Sequence, residues 1–217
     1  MPKQYYLLAG RALVLHTLAA FAAVARLNHT LVLLAPADDT FAGLTLPDIR
    51  TCSAVACGAA TRAGTVANGL SALRARGAQD GDWVLVHDAA RCLITPALID
   101  RLIDACVGDA VGGLLAVPAS DTLKLANGER VAHTADRSQY WLAQTPQMFR
   151  LGHLARALAA TGDSVTDESS AIEAMGLSPR LVEGERDNFK VTMAQDFIMA
   201  ESLLQARAAH AAHANQE

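Results

Sequence analysis

A mainly parallel α/β sheet with helices on both faces is the fold the sequence predicts, and three observations predict it. Short apolar runs of strand length alternate along the chain with longer segments of helical spacing. Polar side chains suited to binding follow several of those runs, at the strand ends where ligands collect in open α/β sheets. A chain of 217 residues with 52% hydrophobic content can bury a sizeable core as a single domain, 1–217.

The elements follow in order. Residues 13–24 carry apolar side chains at helical spacing, with Leu15, Leu18, Ala19 and Ala22 on one face. TLVLLAP, from Thr30, is a short strand stopped by Pro36, and CSAVAC is a second strand leading into the small-residue loop GAATRAG. Thr65 is placed to cap a helix through VANGLSALRAR. WVLVHD is the next strand, residues 96–106 the next helix, and AVGGLLAVPA a strand that carries two glycines. The rhythm then breaks. DTLKLANGERVAHTADR has two extended arms around Asn127-Gly128, a pair expected in a tight hairpin. Its mixed charge suits a solvent-exposed hairpin, or an arm over residues 118–141 that packs on another subunit, better than a central strand. TPQMF follows, then helices at 151–160 and 167–175, the second capped by Thr166 or Asp167. PRLVEG reads as an edge strand, and DNFKVT leads into a final helix from Ala194 whose tail, ARAAHAAHANQE, reads as a fraying end.

Composition excludes several functions. A formal charge of -4 argues against a general nucleic-acid binder. Cys52, Cys57, Cys92 and Cys106 lack CxxC spacing and a zinc-type histidine pattern, so they read as reduced core residues of a cytoplasmic protein. The start MPKQYYLLAG does not read as a signal peptide, and no segment has transmembrane length. His210 and His213 read as solvent-facing. There is no Walker loop, dinucleotide fingerprint, HExxH or GxSxG elbow.

The polar groups at predicted strand ends are more informative. VLVHDAARC places Asp88 and Arg91 after one strand, and Ser120, Asp121 and Thr122 follow the next. Lys3, Arg62, Arg91, Lys124, Arg137 and Lys190 are the cations near element ends. Lysine offers a mobile point charge and arginine a planar fork, so several around one cleft suit phosphates, although each taken alone is more often a solvated surface charge. Asp88 is a hard oxygen ligand for a divalent metal, or else a cap for the turn that follows it.

Taken together, PKQY (2–5), LAGR (8–11), VLVHDAAR (84–91), DTLK (121–124), HTADR (133–137), QTPQMF (144–149), TDESSAIE (166–173) and DNFKVT (187–192) resemble the 2-C-methyl-D-erythritol 4-phosphate cytidylyltransferase family, in family order and over nearly the whole chain. The resemblance implies a Rossmann-like nucleotidyltransferase sheet and transfer of CMP from CTP to methylerythritol phosphate with Mg2+, releasing pyrophosphate. It implies that Lys3 and Lys190 act on the reacting phosphates, that Thr65 and the backbone of Ala59 and Ala60 contact the nucleotide, and that Asp88 sits beside the ribose and the metal. Arg91, Thr122 and Arg137 match positions around the acceptor phosphate, and the hairpin is expected to cross to the partner of a homodimer. The sequence departs from the pattern in lacking a strand and glycine-rich loop ahead of PKQY, which leads to the expectation of weaker triphosphate binding. Cys92 stands where proline is usual, and Gly64 where an acidic residue is usual. A ribitol 5-phosphate or other polyol-phosphate cytidylyltransferase, and a non-catalytic dimeric remnant, are the competing readings.

Overall fold

The computed structural model describes residues 2–46 and 52–214. In chain order its elements are β1 (Leu7–Leu8), β2 (Arg11–Ala12), α1 (Leu13–Ala22), β3 (Thr30–Leu34), β4 (Cys52–Ala56), α2 (Arg62–Ala75), β5 (Trp83–Val86), α3 (Pro96–Cys106), β6 (Gly112–Pro118), β7 (Leu123–Asn127), β8 (Arg130–Ala135), β9 (Trp141–Arg150), α4 (Leu151–Thr161), α5 (Glu168–Glu173), β10 (Arg180–Glu183) and α6 (Ala194–Ala214). The last three residues of the expected fraying tail lie outside the described residues.

The main sheet has the order β10-β6-β9-β5, with β10, as expected, at an edge. β10 pairs parallel with β6, while β9 runs antiparallel to both β6 and β5. Three strands therefore share one direction and β9 opposes them. The period-two alternation of β9 supplies both faces of the core. Met148 points into a cluster with Phe21, Leu98, Leu102 and Leu115, from α1, α3 and β6. Its neighbour Phe149 points the other way, into Val66, Leu70, Leu154, Leu158 and Ile172 from α2, α4 and α5. Helices thus cover both faces of the sheet, as the alternation predicted.

β9 is the strand the sequence reading left unassigned. A proline argues against a central strand because it cannot donate to the ladder. Pro146 escapes that cost. The β6–β9 register jumps between Leu114 and Ala116, and β5 pairs only with residues from Gln147 onward, so Pro146 sits at a bulge with no ladder partner on either side.

Local chemistry sets the helix starts. Thr95 accepts the Leu98 amide and Pro96 opens α3, a good pairing because the amide missing from proline has no helical partner there. Asp167 and Ser170 form a reciprocal capping box at α5. The expected cap at Thr65 is corrected: α2 begins at Arg62, and Thr61 is the cap, accepting the Gly64 amide. The hairpin forms as expected, with one adjustment. Asn127 pairs with Arg130, so the two-residue turn is Gly128-Glu129, with Gly128 at φ +60°.

β3 and β4 form a separate parallel pair. Between β3 and β5 lies a cavity of about 900 Å³, walled by both strands, α1 and α2. Lys3, Arg62, Thr65, Asp88 and Lys190 line it near the carboxyl end of β5, and the side chains of β3 and β5 make much of the rest of its wall apolar.

The two glycines of β6 have a packing reason that periodicity does not reveal. A β-carbon on Gly112, at φ +109°, would strike the Met148 carbonyl, and one on Gly113 would strike the Arg180 carbonyl. Gly112→Ala is therefore expected to destabilise the fold by roughly 2 kcal/mol or more, from left-handed strain plus backbone collision. Urea unfolding measures this, and a change below about 0.5 kcal/mol would contradict the close approach.

Candidate active site

The carboxyl end of β5 delivers Asp88 into a chain of charges. Its Oδ1 accepts from Arg62 Nε at 3.0 Å, and its Oδ2 pairs with Lys190 Nζ at 2.8 Å. Arg62 turns the rest of its guanidinium to Glu168, donating through Nη1 and Nη2 to Oε1 and Oε2 at 2.6 and 3.0 Å. Glu168 is 1% exposed, so this two-pronged contact is its main compensation for burial. Burial pushes the Glu168 carboxyl up, and Arg62 offsets part of that. Burial would also raise Asp88, but Arg62 and Lys190 outweigh it and hold the carboxyl at about 2. Asp88 is therefore ionised at neutral pH.

Lys3 reaches the same place from the other end of the chain, its Nζ donating to the Val191 carbonyl at 3.0 Å, one residue from Lys190. The fold thus gathers Lys3, Arg62, Asp88 and Lys190 from positions far apart in sequence. Thr65 lines the same cavity, where its hydroxyl donates to the Thr61 carbonyl and accepts the Ala59 amide, each at 2.9 Å. It serves first to hold the GAATRAG loop. Ala59 and Ala60 are exposed on that loop, and Gly64 packs close to Ala59.

Arg91 sits on the next turn and faces a second cavity of about 270 Å³, with Ser120, Gln144, Arg186 and Lys190 among its walls. Its Nη1 donates to the Asn188 carbonyl at 2.8 Å and its Nη2 to that of Ala143 at 3.2 Å. Lys190 lines both cavities. Thr122 and Arg137 are not brought in: both are exposed at the base of the β7–β8 hairpin, where Arg137 donates to the Ser120 carbonyl. Lys124 is likewise on the hairpin, bonded to Thr134 at 2.7 Å.

Four participants carried no assigned role in the sequence reading. Glu168 was hidden as an ordinary acid in a first helical turn. Thr145 and Gln144 sit at the β9 bulge, which turns them toward the site: Thr145 Oγ1 accepts the Asp88 amide at 3.1 Å, and Gln144 Oε1 accepts from buried Asn188 at 3.2 Å. Arg186 adds a further cation to the smaller cavity. All four cysteines are free; Cys92 and Cys106 are buried, as expected of core residues, whereas Cys52 and Cys57 are half-buried. His210 and His213 are exposed, as expected.

Among the described residues there is no group of three or more His, Cys, Asp or Glu side chains poised to hold a metal. Asp88 offers one carboxylate, both of whose oxygens pair here with Arg62 and Lys190, so it would suit a Mg2+ only where substrate phosphate draws Lys190 away and phosphates and water fill the rest of the shell. No helix among the described residues is long and apolar enough to cross a membrane.

The family model for IspD, 2-C-methyl-D-erythritol 4-phosphate cytidylyltransferase, matches residues 1–206. A bifunctional enzyme IspD/IspF from Albidiferax ferrireducens is 63% identical over 206 residues, covering 95% of this chain, which spans about half (49%) of that relative's length. A 2-C-methyl-D-erythritol 4-phosphate cytidylyltransferase from Laribacter hongkongensis is 54% identical, covering 94% of this chain and 88% of the relative. Among solved structures, a 4-diphosphocytidyl-2C-methyl-D-erythritol synthase superposes with a TM-score of 0.84 at 39% identity, covering 94% of this chain and 95% of that one.

The charge chain has a pH signature. Asp88 falls from its ordinary 3.8 to about 2 in the folded protein, so its contribution to stability is complete above about pH 4 and is lost as pH drops toward 2. The stability advantage of the wild type over Asp88→Asn should shrink by about 2 kcal/mol across that interval. Urea unfolding of both proteins at pH 5, 4, 3 and 2 measures it; parallel profiles would mean that Arg62 and Lys190 do not hold the carboxylate.

Proposed function

From the premise that the chain belongs to the 2-C-methyl-D-erythritol 4-phosphate cytidylyltransferase family, we propose that it transfers CMP from CTP to 2-C-methyl-D-erythritol 4-phosphate, giving the CDP-linked product and pyrophosphate for isoprenoid biosynthesis. One observation carries this reading: the two cavities meet at Lys190, with Asp88 on the larger and Arg91, three residues later, on the smaller. CTP takes the part of the larger cavity lined by Lys3, Arg62, Thr65, Asp88 and Lys190, and the acceptor phosphate takes the smaller cavity.

The acceptor phosphate is already an oxygen nucleophile, so no protein nucleophile is needed. Its oxygen forms a bond to the α-phosphorus of CTP while the bond to the pyrophosphate oxygen breaks in line with it. Lys3 and Lys190 offset the charge that grows on the transferring and leaving phosphates. Thr65 and the Ala59–Ala60 backbone hold the nucleotide, and Arg91 orients the acceptor. Asp88 would hold Mg2+, which when bound supplies charge neutralisation to the phosphates.

The β7–β8 hairpin carries Thr122 and Arg137 and exposes Leu125 and Val131, while Tyr140, Trp141 and Leu142 are exposed close to its base. An apolar surface of this kind suits a twofold homodimer in which each arm reaches the other subunit's acceptor site. The same reading makes the protein cytoplasmic.

The purified protein offered each common nucleoside triphosphate with methylerythritol phosphate or ribitol 5-phosphate should use CTP and methylerythritol phosphate best; preference for ribitol phosphate or another nucleotide overturns the assignment. Lys190→Ala should lower kcat about a hundredfold with a smaller change in KM, as expected for a contact tightened in the transition state. Wild-type turnover would remove Lys190 from the chemistry. Deleting residues 123–133 and closing the gap with a short turn should weaken dimerisation and acceptor use together while disturbing CTP binding less. Light scattering alongside separate titrations measures that coupling, and an intact dimer with unchanged acceptor affinity contradicts the arm's role.

A further inference from the structure

His87 lies between β5 and Asp88, and nothing in the proposed chemistry uses it. Its imidazole is nevertheless engaged at both nitrogens. Nε2 lies 3.2 Å from the Arg91 carbonyl oxygen, and Nδ1 lies 3.1 Å from Thr145 Oγ1. A carbonyl only accepts, so Nε2 carries the proton. The bare Nδ1 must then accept from the Thr145 hydroxyl, whose oxygen in turn accepts the Asp88 amide at 3.1 Å. Three hydrogen bonds therefore run in one direction: Asp88 N–H to Thr145, Thr145 O–H to His87, and His87 N–H to Arg91. They join the two ends of a turn that is also closed by the Arg91 amide donating to the Asp88 carbonyl at 2.9 Å. The ring packs against Phe21, with centroids 5.0 Å apart, and Thr145 is 4% exposed.

We propose that His87 and Thr145 are positioning residues that fix the separation of Asp88 on the nucleotide side from Arg91 on the acceptor side, so that the two phosphates meet in line. This inference rests on the reading of the two cavities as the CTP and acceptor sites. Rigid spacing matters in such a reaction because the protein's main contribution is alignment. The neutral ring required by this hydrogen-bond direction agrees with its surroundings: burial holds His87 down at about 4, outweighing the bond to the Arg91 carbonyl and the Asp88 charge, which both raise it.

The test uses the full chain. His87→Phe keeps a ring against Phe21 but loses both hydrogen bonds, and Thr145→Val loses the hydroxyl while keeping the branch. Each should lower kcat about tenfold or more with KM for both substrates within about threefold, on the scale of a lost hydrogen bond in a buried network. Thr145→Ser, which keeps the hydroxyl, should restore turnover to within about threefold of wild type. Because both residues act in one chain, the double variant should be little worse than either single one. In the free protein, a long-range 1H–15N spectrum should show the imidazole of His87, identified by its loss in His87→Phe, protonated at Nε2 and bare at Nδ1. Should His87→Phe fail to fold, the Thr145 pair and the spectrum, its His87 signal then identified by its shift in Thr145→Val, decide alone. Turnover within twofold of wild type in Thr145→Val, a loss confined to KM, no rescue by serine, or a proton on Nδ1 would each overturn the proposal. If the wild type itself makes no cytidylyl product, the functional reading fails, and the spectrum still judges the clamp.

Discussion

The placement of Asp88 between Arg62 and Lys190 is the interaction on which the rest of the site depends. A carboxylate with 15% side-chain exposure is costly unless opposite charge compensates it, and here two cations from different elements do so. Arg62 can serve only because Glu168, still more buried, holds the other side of its guanidinium. The chain Glu168–Arg62–Asp88–Lys190 therefore ties α5, α2, the end of β5 and the DNFKVT segment together. α2 and β5 are consecutive elements, but α5 and the DNFKVT segment enter from much later in the chain, so the charges report the completed fold.

The sheet supplies the frame for that chain through one irregularity. A regular β9 would pair throughout with β6 and send Gln144 and Thr145 into the ladder register. The bulge at Leu114/Ala116 removes Pro146 from the ladder and frees the two residues before it. Thr145 then meets the Asp88 amide, and Gln144 meets Asn188, whose Nδ2 also donates to the Thr145 carbonyl at 2.9 Å. A feature that weakens strand pairing thus strengthens the polar packing around the β5 turn.

Much of this was legible in the sequence, and the misses have physical causes. The bounds of α3 are those the pattern predicts, because apolar spacing, Thr95 and Pro96 all agree there. The start of α2 was misplaced by a few residues because two threonines four apart compete for the cap, and only backbone geometry shows that Thr61 takes the Gly64 amide while Thr65 bonds back to Thr61. β9 went unassigned because its proline is tolerated only at a bulge, which depends on the partner strand. Of the expected site residues, Lys3, Thr65, Asp88, Arg91 and Lys190 line the two cavities, whereas Thr122 and Arg137 remain on the hairpin. Glu168 was invisible as a partner because no local pattern marks a buried ion pair formed across 106 residues of chain.

The two cations on Asp88 are not equivalent, and the difference bears on how a free site accepts polyphosphate. Arg62 is fixed by three hydrogen bonds in a planar fork, two of them to a carboxylate shielded from solvent. Lys190 holds Asp88 through one point contact, and its side chain is 41% exposed. The Lys190 end of that contact is open to solvent, so a phosphate oxygen can replace the carboxylate there more cheaply than at Arg62, whose withdrawal would leave Glu168 buried and unpaired. Arg62 is thus the fixed member that keeps Asp88 in place, and Lys190 is the less constrained one. In the function proposed above, its position on both cavities puts that less constrained charge between the CTP and acceptor sites.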